Sequence, residues 1–192
     1  MHTLIFATNN RNKVAEIQSL VGPNFTIIPL KEAGIDIDIP EPHDQLEANA
    51  LEKALTIFKM TNQACFSEDT GLEILALDGA PGVKSARYAG ENSNPQANID
   101  LVLSKMTGVE NRTAQFRTVI CLIWENQTYY FEGICKGQIL NNMQGENGFG
   151  YDPIFVPDGA SKSFANMTME EKNTYSHRKK AVTQLFEFLG TV

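Results

Sequence analysis

The sequence predicts an α/β protein built on one long mixed sheet flanked by helices, and three observations predict it. Short apolar runs near the N-terminus alternate with segments of helical period. Two long neighbouring segments, 113–124 and 128–140, carry the period-two pattern of strands. No internal repeat or low-complexity linker interrupts the 192 residues. A chain of this length can bury one sizeable core, so residues 1–192 read as a single domain.

The elements follow in order. TLIFAT (3–8) is a buried strand, and Asn9 or Asn10 can cap the helix behind it, whose Val14, Ile17, Leu20 and Val21 mark one apolar face. Gly22-Pro23 ends that helix and FTII (25–28) opens a second strand. Residues 31–45, rich in proline and acid, read as loop. A helix from Leu46 to Met60 places Leu46, Ala50, Ala54 and Phe58 at i+4 steps. A strand ends near Phe66, a bend is expected at Gly71, and a further strand covers 72–76 before the loop DGAPG. Residues 95–106 are helical by the phase of Ile99, Leu103 and Met106. In 113–124, Ala114, Phe116, Thr118, Ile120, Leu122 and Trp124 share a face, and the turn at Glu125-Asn126-Gln127 makes the pair a hairpin. Gly145–Gly150 is a glycine-rich loop before the strand PIFV. A last helix runs from His177 to Leu189, with Ser176 as its cap and Val182, Leu185, Phe186 and Leu189 as its buried stripe.

Composition excludes several functions. A net charge of −7 opposes a surface made for nucleic acid or anionic lipid. The apolar stretch Val119–Trp124 is far too short to span a bilayer, and the N-terminus has no secretory pattern. Cys65, Cys121 and Cys135 lack metal-ligand spacing and read as buried thiols of a cytoplasmic protein.

Certain polar residues have two readings each. FATNNRNK (6–13) sets a helix N-terminus after a strand, where backbone N–H groups and the helix dipole favour an anion; it can equally be an asparagine cap and a solvated lysine. Asn49 and Lys53 lie four apart on one helical face, which can be a solvated polar face. SEDTG (67–71) places Glu68 and Asp69 side by side. Strand neighbours point to opposite faces, so both serve one site only if the backbone turns there. A hard divalent cation would then hold both carboxylates, whereas the alternative is an acidic pair at a surface turn. Phe149 stands between two glycines, placed to lie against a flat ring, and YSHRKK (175–180) gathers positive charge at a helix start, where the dipole opposes it.

In this order the motifs ATNNRNK, NALEKA, EDTGLEI, GAPGVKSARYAGE, GFGYDPIF and EEKNTYSHR resemble the inosine triphosphate pyrophosphatase family across essentially the whole chain. That family hydrolyses non-standard purine triphosphates such as ITP, dITP and XTP to the monophosphate and pyrophosphate. The resemblance implies a long mixed sheet in two lobes with a central cleft, a Mg2+ cofactor, and a cytoplasmic homodimer. It assigns triphosphate binding to Thr8, Asn9, Asn10, Lys13 and Lys53, water activation to Asp69, and metal binding to Asp69 with Glu41 and Glu68. Thr70 is a substrate contact, Phe149, Gly150, Tyr151 and Asp152 are the base-binding loop, and Lys172, His177 and Arg178 close around the purine. Arg178 aimed at position 6 would favour the carbonyl of hypoxanthine or xanthine over the amino group of adenine, since arginine only donates. In one place the chain departs from the family pattern: Glu47-Ala48-Asn49 puts the acid one residue earlier, about 100° around the helix. SARY (85–88) is characteristic but has no assigned chemistry; Arg87 can reach phosphate or brace the cleft that the resemblance implies. Two other readings remain: a pyrophosphatase for another modified nucleotide, and a nucleotide-binding module without catalysis.

Overall fold

The computed structural model describes residues 2–92 and 94–191. In chain order the elements are β1 (His2–Phe6), α1 (Arg11–Gln18), β2 (Phe25–Pro29), α2 (Leu46–Thr61), β3 (Cys65–Ile74) and β4 (Pro81–Gly82). They continue with α3 (Pro95–Lys105), β5 (Thr113–Trp124), β6 (Gln127–Ile139), β7 (Phe155–Pro157), α4 (Met169–Tyr175) and α5 (His177–Leu189). Their strands hydrogen-bond in the order β2-β1-β3-β5-β6-β7, with β4 beside β3. By contacts the chain divides into two units: Met1–Asp69, Thr118–Gly133 and Arg178–Val192 form the first, Thr70–Arg117 and Ile134–His177 the second.

In the first unit β1 pairs in parallel with β2 (Leu4 opposite Ile27) and with β3 (Phe6 opposite Phe66). Parallel neighbours need a crossover connection, and here α1 lies between β1 and β2 in the chain, α2 between β2 and β3. Strand alternation then sorts the side chains. Leu4, Phe6, Phe66, Ile120 and Leu122 pack with Ile17 of α1 and Val182 and Leu185 of α5. Ile5, Ala7, Cys65, Cys121 and Ile123 pack with Ala50, Ala54 and Ile57 of α2. With both faces covered, Val119–Ile123 is buried at every position, so the one-faced alternation expected for β5 breaks down there.

The second unit gathers Leu72 and Ile74 of β3, Ile99, Val102 and Met106 of α3, Phe116 of β5 and the aromatics Tyr151, Phe155 and Phe164. Here the structure departs from the sequence reading at β3. It is one unbroken strand, with no bend at Gly71. Gly71 serves close approach instead: a Cβ there would lie 2.7 Å from the carbonyl oxygen of Gly82. A 3-10 turn, Asp152–Ile154, occupies the start of the expected strand PIFV, and β7 follows it. Helix α4 was not expected; Thr168 and Glu171 form a reciprocal capping box at its start, and Ser176 closes it as its C-terminal cap. The β5–β6 hairpin turns on Glu125 and Asn126, both with positive φ (50° and 61°), as the favoured two-residue turn requires. Cys65, Cys121 and Cys135 are buried. Burial pushes the thiols of Cys65 and Cys121 up to about 12. Among the described residues no helix is long and apolar enough to cross a membrane.

Candidate active site

The turn from β1 into α1 is wired largely to itself. Asn10 caps α1, its side-chain oxygen accepting from the Asn12 and Lys13 N–H groups at 3.0 and 3.2 Å. Its own N–H donates to Thr8 Oγ1 at 3.1 Å, and Asn9 Nδ2 donates to the Ile37 carbonyl at 2.7 Å. Two of the N–H groups expected to face an anion thus have partners within the turn. Lys13 reaches out from the first turn of α1 to Glu68 Oε1, 3.1 Å away.

The adjacent acids of β3 are parted by the pleat. Cys65 and Ser67 bond the Ala54 and Ala50 carbonyls of α2, and Asp69 continues that row: Lys53 Nζ donates to its Oδ1 at 3.0 Å and Asn49 Nδ2 to its Oδ2 at 3.4 Å. Glu68 points the other way, among α1 and α5. Arg178 grips it bidentately, Nε to Oε2 at 2.7 Å and Nη2 to Oε1 at 2.8 Å, while Nη1 bonds Glu16. Glu68 and Asp69 therefore do not converge, because the bend that would bring them together is absent.

Both groups are buried and charged. Glu68 is 2% exposed, Asp69 5%, Lys53 6% and Arg178 1%. Burial would raise the Glu68 carboxyl, but Arg178 and then Lys13 outweigh it and hold it well below the usual range. Around Arg178, burial is outweighed by Glu68 and Glu16, which raise its pKa. Lys53 is likewise raised, Asp69 and Glu41 prevailing over burial. For Asp69 burial wins: its carboxyl is raised, with Lys53 and Lys13 opposing and Glu41 reinforcing the shift. The two acids are thus poised in opposite directions, Glu68 locked as an anion and Asp69 made more basic.

Glu41 sits on the same Lys53 ammonium as Asp69. Among the described residues no group of three or more His, Cys, Asp or Glu side chains could by itself hold a metal ion. Magnesium needs no such cage, since it takes one or two carboxylates together with phosphate oxygens. The hard oxygen donors of Glu41 and Asp69, brought to one ammonium, fit that donor set. Glu68, on the opposite face of β3 with its oxygens on Arg178 and Lys13, does not share that group.

In the second unit, residues 148–152 turn around one carboxylate. Asp152 is 3% exposed, and its Oδ2 accepts the Phe149 N–H at 2.9 Å and Lys172 Nζ at 2.6 Å. The Lys172 ammonium also lies 5.2 Å from the ring centres of Phe149 and Phe164. Tyr151 belongs to the core, its hydroxyl donating to the Ser85 carbonyl at 2.9 Å. His177 stacks on Phe116, centroids 4.7 Å apart and planes 14° from parallel. Thr70 follows Asp69 in β3, and Gly150 takes a positive φ of 60° in the turn. Ser85 and Asn98 pin the SARY segment: Ser85 Oγ bonds the Gly82 carbonyl, and the Asn98 amide bonds Ala86 O and the Ala89 N–H.

Two site residues escaped the sequence reading. Glu16 lies three residues after Lys13 on the same face of α1, a spacing that was visible, but its partner Arg178 is 162 positions away. The four-residue spacing of Asn49 and Lys53 suits a solvated helical face equally well, but both are buried.

Comparison with known proteins bears on this geometry. A profile described as the Ham1 family matches residues 4–188. A protein named dITP/XTP pyrophosphatase from Porphyromonas gingivalis is 49% identical over 190 residues, 98% of each chain. One of the same name from Flavobacterium johnsoniae is 48% identical over 186 residues, 97% of each chain. The solved structure of the Staphylococcus aureus Ham1 protein superposes with a TM-score of 0.89 at 37% identity, covering 98% of both chains. With fold, motifs and near-complete alignment in agreement, this chain belongs to the Ham1 family.

Proposed function

We propose that the chain hydrolyses non-standard purine nucleoside triphosphates, ITP, dITP and XTP, to the monophosphate and pyrophosphate. Relatives that align over nearly the full chain are named dITP/XTP pyrophosphatase. The observation that carries the chemistry is Asp69, a buried carboxylate raised above its ordinary pKa and held by Lys53 at 3.0 Å. A buried carboxylate fixed by a lysine is placed to accept a proton from a neighbouring water.

Asp69 takes a proton from the water that attacks the α-phosphorus. The new P–O bond forms as the bond to the bridging oxygen breaks, and pyrophosphate leaves. Lys13 and Lys53 neutralise the phosphate oxygens, with Thr8, Asn9 and Asn10 at the turn before α1. Glu41 and Asp69 would hold magnesium, which supplies further charge neutralisation to the triphosphate. Glu68 fixes Lys13 and Arg178 rather than binding metal. The purine is assigned to Phe149 and its turn, with Thr70, Gly150, Tyr151, Asp152, Lys172 and His177 as contacts or supports. Arg178 is assigned to the purine 6-carbonyl, a role that requires its guanidinium to exchange bonds it makes to Glu68 and Glu16 for the base; a donor there is matched by hypoxanthine or xanthine but meets a further donor on adenine. Such a mismatch can reject a substrate by ~10⁴-fold. The protein is proposed to work in the cytoplasm as a homodimer.

The test is a panel of purine and pyrimidine triphosphates with pyrophosphate detection, with and without magnesium. ITP, dITP and XTP are expected to react only with the metal, and Asp69→Asn to lose turnover by a factor of about 10² or more. Equal rates on ITP and ATP would remove Arg178 from its role. Saturable binding without pyrophosphate release would make the chain a nucleotide-binding module.

A further inference from the structure

Asn49 is fully buried in the first turn of α2, and its amide makes three hydrogen bonds to two different parts of the chain. Its Oδ1 accepts the His43 N–H at 2.9 Å, and its Nδ2 donates to the His43 carbonyl at 3.0 Å. That clasp holds the loop two residues after Glu41, whose carboxylate lies on Lys53. The second Nδ2 hydrogen is directed to Asp69 Oδ2 at 3.4 Å, while Lys53, one turn further along α2, holds Oδ1 at 3.0 Å.

The polarity of this amide is set by the backbone. A main-chain N–H must meet an acceptor and a carbonyl must meet a donor, so Oδ1 faces His43 N and the amino group faces Asp69. Turning the amide over would oppose two donors at His43 and set an oxygen against a carboxylate. Asp69 is thereby held at both oxygens from one helix, by a cation on one side and a neutral donor on the other.

We propose that Asn49 is a positioning residue, its amide fixing the carboxylate plane of Asp69 and the Glu41 loop in one register. The inference rests on the pyrophosphatase reading, in which Asp69 is the base. Displacing a reacting group by about 1 Å can cost ~10²-fold in rate, so loss of this amide should appear in kcat.

Asn49→Ala and Asn49→Asp separate positioning from mere bracing. Aspartate keeps an acceptor for the His43 N–H, but it loses the donor that met the His43 carbonyl and turns a carboxylate oxygen toward Asp69. Steady-state rates on ITP and hydrogen exchange of the His43 amide are measured on both full-length variants. The expected result is a kcat lowered about 10- to 100-fold in each, with KM changed less than about threefold. Exchange at His43 should quicken in Asn49→Ala and stay slow in Asn49→Asp. An Asn49→Asp protein with a protected His43 amide and kcat within twofold of wild type (roughly the reach of additive noise) would reduce Asn49 to a loop brace and overturn the proposal alone. A wild-type chain that releases no pyrophosphate from any triphosphate overturns the parent reading and this one with it. Should Asn49→Ala fail to fold, Asn49→Asp carries the same decision.

Discussion

Gly148 shows how a single hydrogen atom can protect a carboxylate. Its φ is +76°, and a Cβ there would lie 2.1 Å from Oδ2 of Asp152, the atom that holds both the Phe149 N–H and Lys172. Neither the left-handed backbone nor the contact tolerates a methyl group. Gly148→Ala should push Asp152 aside, release Phe149, and raise KM for ITP about tenfold, the equivalent of ~1.4 kcal/mol. The catalytic rate at saturation should move far less, because Asp69 and Lys53 lie in other elements. Initial rates against substrate concentration decide it, and a lowered kcat with unchanged KM would contradict the assignment. The same residue-scale logic explains why Tyr151 and Asp152 have different work despite standing side by side. Tyr151 anchors to Ser85, whereas Asp152 organises the turn.

Among the elements, α1, β3 and α5 each bring charge to one buried cluster: Lys13 and Glu16, Glu68, and Arg178. Glu68 is depressed in the folded state, so its contribution is present above the ordinary carboxylate value of about 4.3 and is lost as pH falls from there toward the lowered folded value. Glu68→Gln leaves Arg178 with only Glu16 of these two acids and should cost about 3 kcal/mol at neutral pH. Urea unfolding should show the gap from wild type narrowing once pH drops below about 4; a gap independent of pH would show that charge is not what the mutation removed. The helices and hairpin were legible in the sequence because period and turn chemistry are local: Asn10, Pro95 and Glu125-Asn126 mark their own boundaries. Helix α4 carries a legible signal too, the capping-box spacing Thr168-x-x-Glu171. The geometry at Glu68 was half legible. Pleating alone sets it opposite Asp69, but nothing local reveals that its cation comes from a residue 110 positions later. Asn49 was illegible for a related reason, since its partners are a backbone six residues earlier and an acid 20 residues later.

At the scale of the whole molecule, the boundaries between the two units fall within β3, β5 and β6 and between His177 and Arg178. A strand cannot easily lose half its ladder and keep the rest, so the two units should unfold together in one transition. The molecule carries its own reporters for this. Cys65 and Cys121 lie in the first unit and Cys135 in the second, all shielded from solvent. A sulfhydryl pushed up to about 12 is almost wholly unreactive at neutral pH as well as inaccessible. Alkylating reagents added along a denaturant series should therefore label all three positions over the same narrow interval, read by mass spectrometry of the peptides. Labelling of Cys135 well before Cys65 would show that the second unit opens alone. Three hidden sulfur atoms thus turn the interior into a calibrated record of when, and where first, the chain lets solvent in.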